Sequence, residues 1–220
     1  VWHTGDYRLH GYLGKGLFPT LQKYATNIDT LITEGTMLNR SDDCIHEYEV
    51  SKKMADVMSR YKYVFVLASA TDIERLASIK NASEKVKKRM YVYSKFLIST
   101  MSYFTEHESE LSHGLFSFSP RMYGRKYWCR MKKRGFVFVA GTSQKSKVAN
   151  LLKELPTDET ILIYSSWEGY YTIPEQVEAN PDYKNFRELF SNVVDIHTSG
   201  HADKSTIQKV IEIVKPKEVI

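Results

Sequence analysis

The run Tyr63-Val-Phe-Val-Leu-Ala68 is apolar or aromatic at every position. A strand with one face in water alternates apolar and polar residues, so an unbroken run predicts a strand that is buried on both faces. Phe136–Ala140 and Ile161–Ser165 are similarly rich in β-branched and aromatic residues. Strands of this kind are typical of parallel sheets that are covered by helices.

Amphipathic helices are predicted between these strands. Glu47–Arg60 and Asp203–Lys215 both repeat apolar residues at the 3.6-residue spacing of a helix, and the second has Asp203 as N-cap and Pro216 beyond its last turn. The other predicted strands are Thr30–Thr33, Met90–Tyr93 and Val193–His197, and the other predicted helices are 17–26, 72–88, 95–107, 143–154 and 183–192. Segments 108–135 and 168–182 are predicted to be irregular surface loops, with a short helix in the second as an open alternative. This alternation predicts an α/β fold, with three α/β/α layers around a mainly parallel sheet.

The composition excludes several classes of protein. With 220 residues and 42% hydrophobic positions, the chain can form a core and is too apolar to be disordered. Its apolar runs are far shorter than the ~20 residues of a membrane helix, so we expect no membrane partner. Cys44 and Cys129 are too few for a disulfide scaffold or a cysteine-only zinc site, and they favour a cytoplasmic location.

The positive charge is concentrated in one stretch, residues 121–135, which we call the basic segment. The chain carries +5 overall and this segment +7, so the remaining residues together carry −2. Its basic residues are Arg121, Arg125, Lys126, Arg130, Lys132, Lys133 and Arg134. Because Tyr123, Tyr127 and Trp128 lie among them, the segment predicts contact with single-stranded nucleic acid, through phosphate neutralisation and base stacking. A solvated basic surface is the open alternative.

A turn between a predicted strand and helix, His197-Thr-Ser-Gly-His-Ala-Asp203, is the strongest local signal. Free backbone N–H groups and the helix dipole favour an anion at such a helix start. Ser199 and Gly200 permit close approach of a phosphate, and His201 can supply a hydrogen bond or a proton. The same residues also fit an ordinary tight turn.

Two acidic residues follow predicted strands. Asp6 comes after Gly5 near the start of the chain, and Glu34 ends the strand Thr30–Thr33. Ligands of open α/β sheets bind at the carboxyl ends of the strands, and aspartate is a common ligand of hard metal ions. Each residue alone also fits a solvated turn, because one carboxylate does not make a metal site.

In this order, three stretches resemble the β-CASP branch of the metallo-β-lactamase fold, which includes ribonuclease J-like RNA-processing nucleases. They are Thr4-Gly-Asp-Tyr-Arg-Leu-His-Gly11, Leu31-Ile-Thr-Glu-Gly-Thr36 and His197-Thr-Ser-Gly-His-Ala202, with Val214-Lys-Pro216 after them. The resemblance spans nearly the whole chain, but between these motifs it rests only on the α/β pattern.

The resemblance implies roles for individual residues. Asp6 is similar to the aspartate that bridges two zinc ions, Glu34 to the acidic residue of the first β-CASP motif, and His201 to the histidine of the second. Ser199 and Gly200 are similar to the phosphate-holding turn. Glu34 and His201 are therefore the expected catalytic residues, Asp6 the expected metal ligand, and Ser199, Gly200 and His201 the expected phosphate-binding group.

Other motifs of the family are absent from the sequence. The His-x-His-x-Asp-His motif is expected before residue 1 and the last ligand histidine beyond Ile220, so of the metal ligands only Asp6 is present. We therefore expect a fragment of a longer protein, with no tight zinc site and no hydrolysis of its own. The resemblance divides it into residues 1–37 and 196–220 from a metallo-β-lactamase domain, and 38–195 as the β-CASP domain.

The expected function is that of the longer protein: zinc-dependent hydrolysis of phosphodiester bonds, in RNA rather than DNA. The expected partners are single-stranded RNA and the remainder of the metallo-β-lactamase domain. Two alternatives stay open. One is a module that binds nucleic acid or protein without catalysis, and the other is a doubly wound enzyme that uses the 197–203 turn for a small phosphorylated substrate.

Overall fold

The structure is a computed structural model that describes residues 1–39 and 44–220. It divides into two compact units. The terminal unit comprises Val1–Glu47 and Thr198–Ile220, and the central unit comprises Tyr48–His197. Within the described ranges, the structure contains no helix with the length and apolar character that crossing a membrane requires.

Strands and helices alternate along most of the chain. The strands are β1 Trp2–His3, β2 Thr30–Ile32, β3 Tyr63–Leu67, β4 Met90–Val92, β5 Arg121–Met122, β6 Phe136–Ala140, β7 Thr160–Tyr164, β8 Val193–Asp195 and β9 Glu218–Val219. The helices are α1 Leu17–Tyr24, α2 Glu47–Arg60, α3 Ile73–Lys85, α4 Lys95–Glu106, α5 Trp128–Arg134, α6 Lys145–Leu152, α7 Gly169–Thr172, α8 Pro174–Ala179, α9 Pro181–Arg187 and α10 Lys204–Val214.

The central unit is built on a six-stranded sheet in the order β5-β4-β6-β3-β7-β8, with all pairs parallel. Strand β3 lies in the middle, and Tyr63 is opposite Phe136 on one side and Thr160 on the other. Every residue of β3, β6 and β7 is buried, as their apolar sequences predict. The predicted three-layer α/β class with a mainly parallel sheet is confirmed.

One face of this sheet carries an aromatic core. Phe65, Phe136 and Phe138 project from β3 and β6 and are fully buried. Trp128 of α5 packs on them, with its ring centroid 5.7 Å from that of Phe136. Aromatic pairs at such distances add ~0.5–1.5 kcal/mol each beyond the burial of their area, so this core holds α5 against the sheet.

Helix α5 lies in the segment 108–135 that was predicted to be irregular, and that prediction is wrong for this stretch. The helix has only seven residues, and just Trp128 and Met131 are buried. Two apolar positions among basic neighbours give no recognisable stripe, although they are spaced three residues apart on one helical face. In the second irregular segment, α7 and α8 are short helices, and α8 starts at Pro174.

The terminal unit contains a smaller parallel sheet in the order β1-β2-β9. Leu31 of β2 is fully buried against Leu21 of α1 and Val210 of α10. Helix α10 begins as predicted, because the Asp203 side chain accepts a hydrogen bond from the Thr206 N–H at 2.7 Å. This cap fixes the start of the helix directly after the 197–203 turn.

The expected domain boundaries, after residues 37 and 195, differ from those of the two units, which end at 47 and 197. Glu47 explains the first difference. Its side chain is fully buried, its Oε1 lies 3.2 Å from Nη1 of Arg8, and its N–H donates to the carbonyl of His10 at 2.9 Å. At the second boundary, the Ile196 N–H donates to a carbonyl of β7 at 3.0 Å and so extends the pairing of the central sheet.

Candidate functional site

Three loops of the terminal unit bring together the residues that the sequence analysis selected. Asp6 follows β1, Glu34 follows β2, and His201 precedes α10. Strands β1 and β2 are parallel neighbours, so their carboxyl ends meet at one edge of the sheet. One ligand-type atom from each of the three side chains lies within 4.8 Å of the other two. We call this group the carboxylate–histidine cluster.

Glu34 is the centre of the cluster. Its side chain is only 4% exposed. Oε1 accepts hydrogen bonds from the backbone N–H groups of Tyr7, at 2.9 Å, and Ala202, at 3.1 Å. Oε2 lies 2.8 Å from Nδ1 of His201. A carboxylate that accepts from two loops and an imidazole joins all three loops, so Glu34 acts as a clamp.

The contact with Glu34 orients the imidazole of His201. A carboxylate only accepts hydrogen bonds, so Nδ1 of His201 carries the proton that the 2.8 Å contact requires. In the neutral ring Nε2 then keeps a lone pair, and in the protonated ring it becomes a donor. The ring is 34% exposed, which leaves it open to a ligand.

Asp6 differs from Glu34 although both are carboxylates of the same cluster. Its side chain is 72% exposed, and its Oδ1 lies 3.8 Å from Nδ1 of His201. Within the described ranges, no hydrogen bond to this carboxylate is present. Gly5, the preceding residue, has φ +61°, a conformation that favours glycine and turns the chain at the end of β1. Asp6 therefore presents unused oxygen atoms to solvent.

The turn before α10 has a defined geometry. The Ser199 Oγ accepts a hydrogen bond from the His201 N–H at 3.0 Å. The Gly200 N–H donates to no group in the part of the chain that the structure describes, and a Cβ placed on Gly200 would meet no atom within 4 Å. The backbone at this position is therefore open to an approaching group, and phosphate binding by this turn stays a prediction.

Sequence reasoning missed a second layer of residues behind this turn. The carbonyl of Ser199 accepts a hydrogen bond from Nη1 of Arg8 at 3.1 Å and lies 2.7 Å from Nε2 of His10. Arg8 in turn pairs with the buried Glu47. Arg8 and His10 hold the Ser199 carbonyl, Glu47 holds Arg8, and together they fix the turn that carries His201. Arg8 and His10 lie in the Thr4–Gly11 stretch, but the sequence contains no signal for Glu47.

His10 is 3% exposed. Burial lowers its pKa; the Ser199 carbonyl opposes that shift and the nearby Arg8 charge adds to it. The neutral ring donates from Nε2 to the carbonyl, and its buried Nδ1 has no hydrogen-bond partner among the described residues. His10 is thus a packing histidine with one polar contact.

His197 belongs to the central unit. Its Nδ1 lies 3.1 Å from Nη1 of the buried Arg75, which also donates to Oγ of Ser165 at 2.7 Å. Ser165 Oγ donates in turn to the Ile196 carbonyl at 2.8 Å. These bonds give His197 a place in the polar network at the end of β7.

The basic segment is only partly as expected. The prediction that its aromatic residues stack on bases is wrong for two of them, since Tyr123 is 6% exposed and Trp128 is 1% exposed. Both pack in the core under the sheet, and Tyr127, at 42%, is the aromatic residue that reaches solvent. The segment therefore offers cations and one ring rather than a stacking platform.

Glu154 neutralises part of this charge. Its carboxylate lies 2.5 Å from Arg125 and 3.1 Å from Lys132, and it accepts a hydrogen bond from the Trp128 indole at 2.8 Å. The Arg125 contact, followed by those of Trp128 and Lys132, lowers the pKa of Glu154 to about 2. Within the described ranges, the other basic residues of the segment have no ion pair; they are Arg121, Lys126, Arg130, Lys133 and Arg134.

Comparisons with known proteins give a structural likeness without a function. No protein-family model and no curated protein match the chain. Among 45 matching chains of solved structures is a protein of unknown function from Enterococcus faecalis V583, with a TM-score of 0.63 and 16% sequence identity. The match covers 99% of this chain and 51% of that one, so this chain spans about half the length of its neighbour. At this identity, the likeness shows a shared fold alone.

Proposed function

We propose that this chain is the β-CASP portion of a zinc-dependent nuclease of the metallo-β-lactamase fold, which hydrolyses phosphodiester bonds in single-stranded RNA in the cytoplasm. The observation that carries the proposal is the clamp formed by Glu34. It joins the loops of Asp6 and His201, which lie far apart in the chain, at the end of a parallel sheet. These are the three motifs on which the family resemblance rests. The small number of cysteines in the sequence, Cys44 and Cys129, supports a reducing compartment.

The donor atoms of the cluster fit part of a zinc site. Carboxylate oxygen is a normal zinc ligand, and the Asp6 carboxylate is exposed and accepts no hydrogen bond from the described residues. The oxygens of Glu34 are already used by two N–H groups and an imidazole. Because zinc takes about four ligands, the remaining ligands come from elsewhere in the whole protein. Bound zinc supplies an activated hydroxide and polarises the phosphate.

The residues of this chain then act on the substrate. Glu34 holds the His201 ring by Nδ1, so that a protonated Nε2 can donate to a phosphate oxygen or to the leaving oxygen. The Gly200 N–H and the hydroxyl proton of Ser199, whose oxygen already accepts from His201, are further donors to the phosphate. His201 is thus the proposed proton donor, Glu34 its orienting residue, and Ser199 and Gly200 the phosphate-binding residues.

The basic segment supports a nucleic-acid substrate through charge. Its cations without ion pairs neutralise phosphates, and counterion release makes such binding fall steeply with salt. We expect the triple variant Arg130→Ala, Lys133→Ala and Arg134→Ala to weaken binding of single-stranded RNA, with a salt slope smaller by ~0.7 for each phosphate that is no longer neutralised. An unchanged affinity together with an unchanged slope would remove the basic segment from the proposal.

Hydrolysis by the whole natural protein tests the activity. We expect a labelled single-stranded RNA to be cleaved in the presence of zinc, and cleavage to fall by at least two orders of magnitude in Asp6→Asn. The matched control is Asp158→Asn, since Asp158 is an exposed aspartate outside the cluster. RNA binding without any cleavage would favour the non-catalytic module, and equal activity of both variants would exclude a role for Asp6.

A further inference from the structure

A second basic feature lies in the central unit. Of its residues, Arg121 also belongs to the basic segment. This feature is a cleft of about 430 Å³ at the first residues of β4 and β5, beside the last turns of α3. Its charged lining residues are Lys80, Glu84, Lys88, Arg89 and Arg121. Four cations and one carboxylate give this cleft a formal charge of +3.

Two of these cations, the buried Lys80 and the half-buried Lys88, have no counter-charge among the described residues. Lys80 is 7% exposed, and its Nζ donates to the carbonyls of Gly114, at 2.8 Å, and Leu115, at 3.2 Å. The half-buried Lys88 donates from Nζ to the carbonyls of Met58 and Tyr61. Neither ammonium forms an ion pair with a described residue.

Withdrawing an ammonium from water without a carboxylate beside it is costly, because carbonyl dipoles replace only part of its hydration. Burial accordingly lowers the pKa of Lys88. An ammonium has three N–H groups, and both lysines use two of them on carbonyls, which leaves each with one donor. The cleft therefore has positive charge, and each of its two lysines keeps one N–H donor that no described residue uses.

Arg89 and Arg121 complete the arrangement at the mouth of the cleft. Both are exposed, and within the described ranges neither has an ion pair or a hydrogen bond through its guanidinium. A guanidinium matches the oxygens of a phosphate with two parallel hydrogen bonds, and it binds phosphate more specifically than an ammonium does. Two such groups stand beside the two lysines, with Glu84 as the single opposing charge among the lining residues.

We propose that this cleft is a binding site for the phosphate groups of a ligand, separate from the carboxylate–histidine cluster and independent of the proposed nuclease activity. Arg89 and Arg121 would hold the phosphate oxygens, and Lys80 and Lys88 would supply the positive field and further donors. The volume of about 430 Å³ lies within the range of small-molecule sites. The phosphates come either from a nucleotide-sized molecule or from the backbone of a nucleic-acid strand.

Titration calorimetry of the protein with inorganic pyrophosphate tests the site. The test variant is Arg89→Ala with Arg121→Ala, and the control is Lys52→Ala with Lys53→Ala, which removes equal charge from exposed positions outside both the cleft and the basic segment. We expect the test variant to bind pyrophosphate at least about tenfold more weakly and the control to stay within about twofold. Wild-type affinity in the test variant, or an equal loss in the control, would overturn the proposal.

A second titration separates the two sources of phosphate. A nucleoside diphosphate and a short oligouridylate without terminal phosphates are compared in the same two double variants. If one of these ligands binds to the wild type and the control but not to the cleft variant, the site is supported, and that ligand identifies the source of the phosphate. If the wild-type protein binds neither ligand, or if both double variants fail to bind alike, the cleft is not a phosphate site.

Discussion

Replacement of Glu34 gives the sharpest test of how the candidate site is held together. Glu34→Ala removes the side chain that links the three loops, and it leaves the N–H groups of Tyr7 and Ala202 without their acceptor. Glu34→Gln keeps the side-chain oxygen for these two donors but places an amide N–H₂ opposite Nδ1 of His201. The two variants therefore separate the support of the backbone from the orientation of the imidazole.

The expected magnitudes follow from the three hydrogen bonds. An unsatisfied buried N–H costs ~1–3 kcal/mol, and a hydrogen bond to a charged group contributes ~1.5–3 kcal/mol. Glu34→Ala removes the acceptor of both N–H groups and the hydrogen bond of His201. We expect it to lower the free energy of unfolding by ~3–5 kcal/mol, after allowance for water that enters at the partly exposed Tyr7. Glu34→Gln keeps two of the hydrogen bonds but without the negative charge of the acceptor, so we expect the free energy of unfolding to decrease by only ~1–2 kcal/mol.

Urea unfolding and amide hydrogen exchange measure these effects. We expect the free energy of unfolding to fall in the order wild type, Gln, Ala, and the amides of Tyr7 and Ala202 to lose protection only in the Ala variant. Glu212→Ala is the control, because Glu212 is 66% exposed and pairs with Lys209 on the same helix. If the free energy of unfolding of Glu34→Ala decreased by less than ~0.5 kcal/mol and both amides stayed protected, the clamp would be refuted.

The Glu34→Gln variant also tests the tautomer of the His201 imidazole. Its amide donates towards Nδ1, so the neutral imidazole must move its proton to Nε2. Nitrogen-15 chemical shifts distinguish the two tautomers directly. We expect the Nδ1–H form in the wild type and the Nε2–H form in Glu34→Gln, and the same tautomer in both proteins would contradict the proposed orientation.

Two further predictions concern residues outside the clamp. Because the pKa of His10 is lowered in the folded state, the free energy of unfolding should decrease as the pH falls below the ordinary value of 6.5. His10→Gln should weaken that decrease when urea unfolding is measured as a function of pH. Identical pH profiles for the wild type and the variant would contradict this prediction. Trp128→Ala should lower the free energy of unfolding by ~3–5 kcal/mol because a buried ring is lost, whereas Tyr127→Ala should change it by less than ~0.5 kcal/mol. Comparable thermal midpoints for the two variants would show that Trp128 is not part of the core.

The parts of the fold that sequence predicts well are those with a local physical cause. Strands β3, β6 and β7 are continuously apolar because both of their faces are covered, and that pattern is visible in any short window. Helix α10 starts at its predicted cap because an aspartate side chain satisfies a free N–H within the same turn. Neither inference needs knowledge of the rest of the chain.

The contacts that sequence does not predict join residues far apart in the chain. Arg8 pairs with Glu47, and Lys88 and Arg121 line one cleft, although nothing in their local sequence links them. The misjudged aromatic residues have another cause. Tyr123 and Trp128 stand among cations in the sequence, but their rings are buried in the core, and that burial depends on packing against distant strands.

The two carboxylates of the cluster illustrate why residue type alone does not define a role. Asp6 and Glu34 are equally acidic in the sequence, and both lie at strand ends. Glu34 is 4% exposed and uses its oxygens for two N–H groups and an imidazole, whereas Asp6 is 72% exposed and accepts no hydrogen bond from the described residues. Three of the roughly four acceptor sites of Glu34 are taken by bonds that hold the loops, whereas the acceptor sites of Asp6 take no hydrogen bond from the described residues. The surroundings thus make one carboxylate a structural clamp and leave the other exposed to solvent.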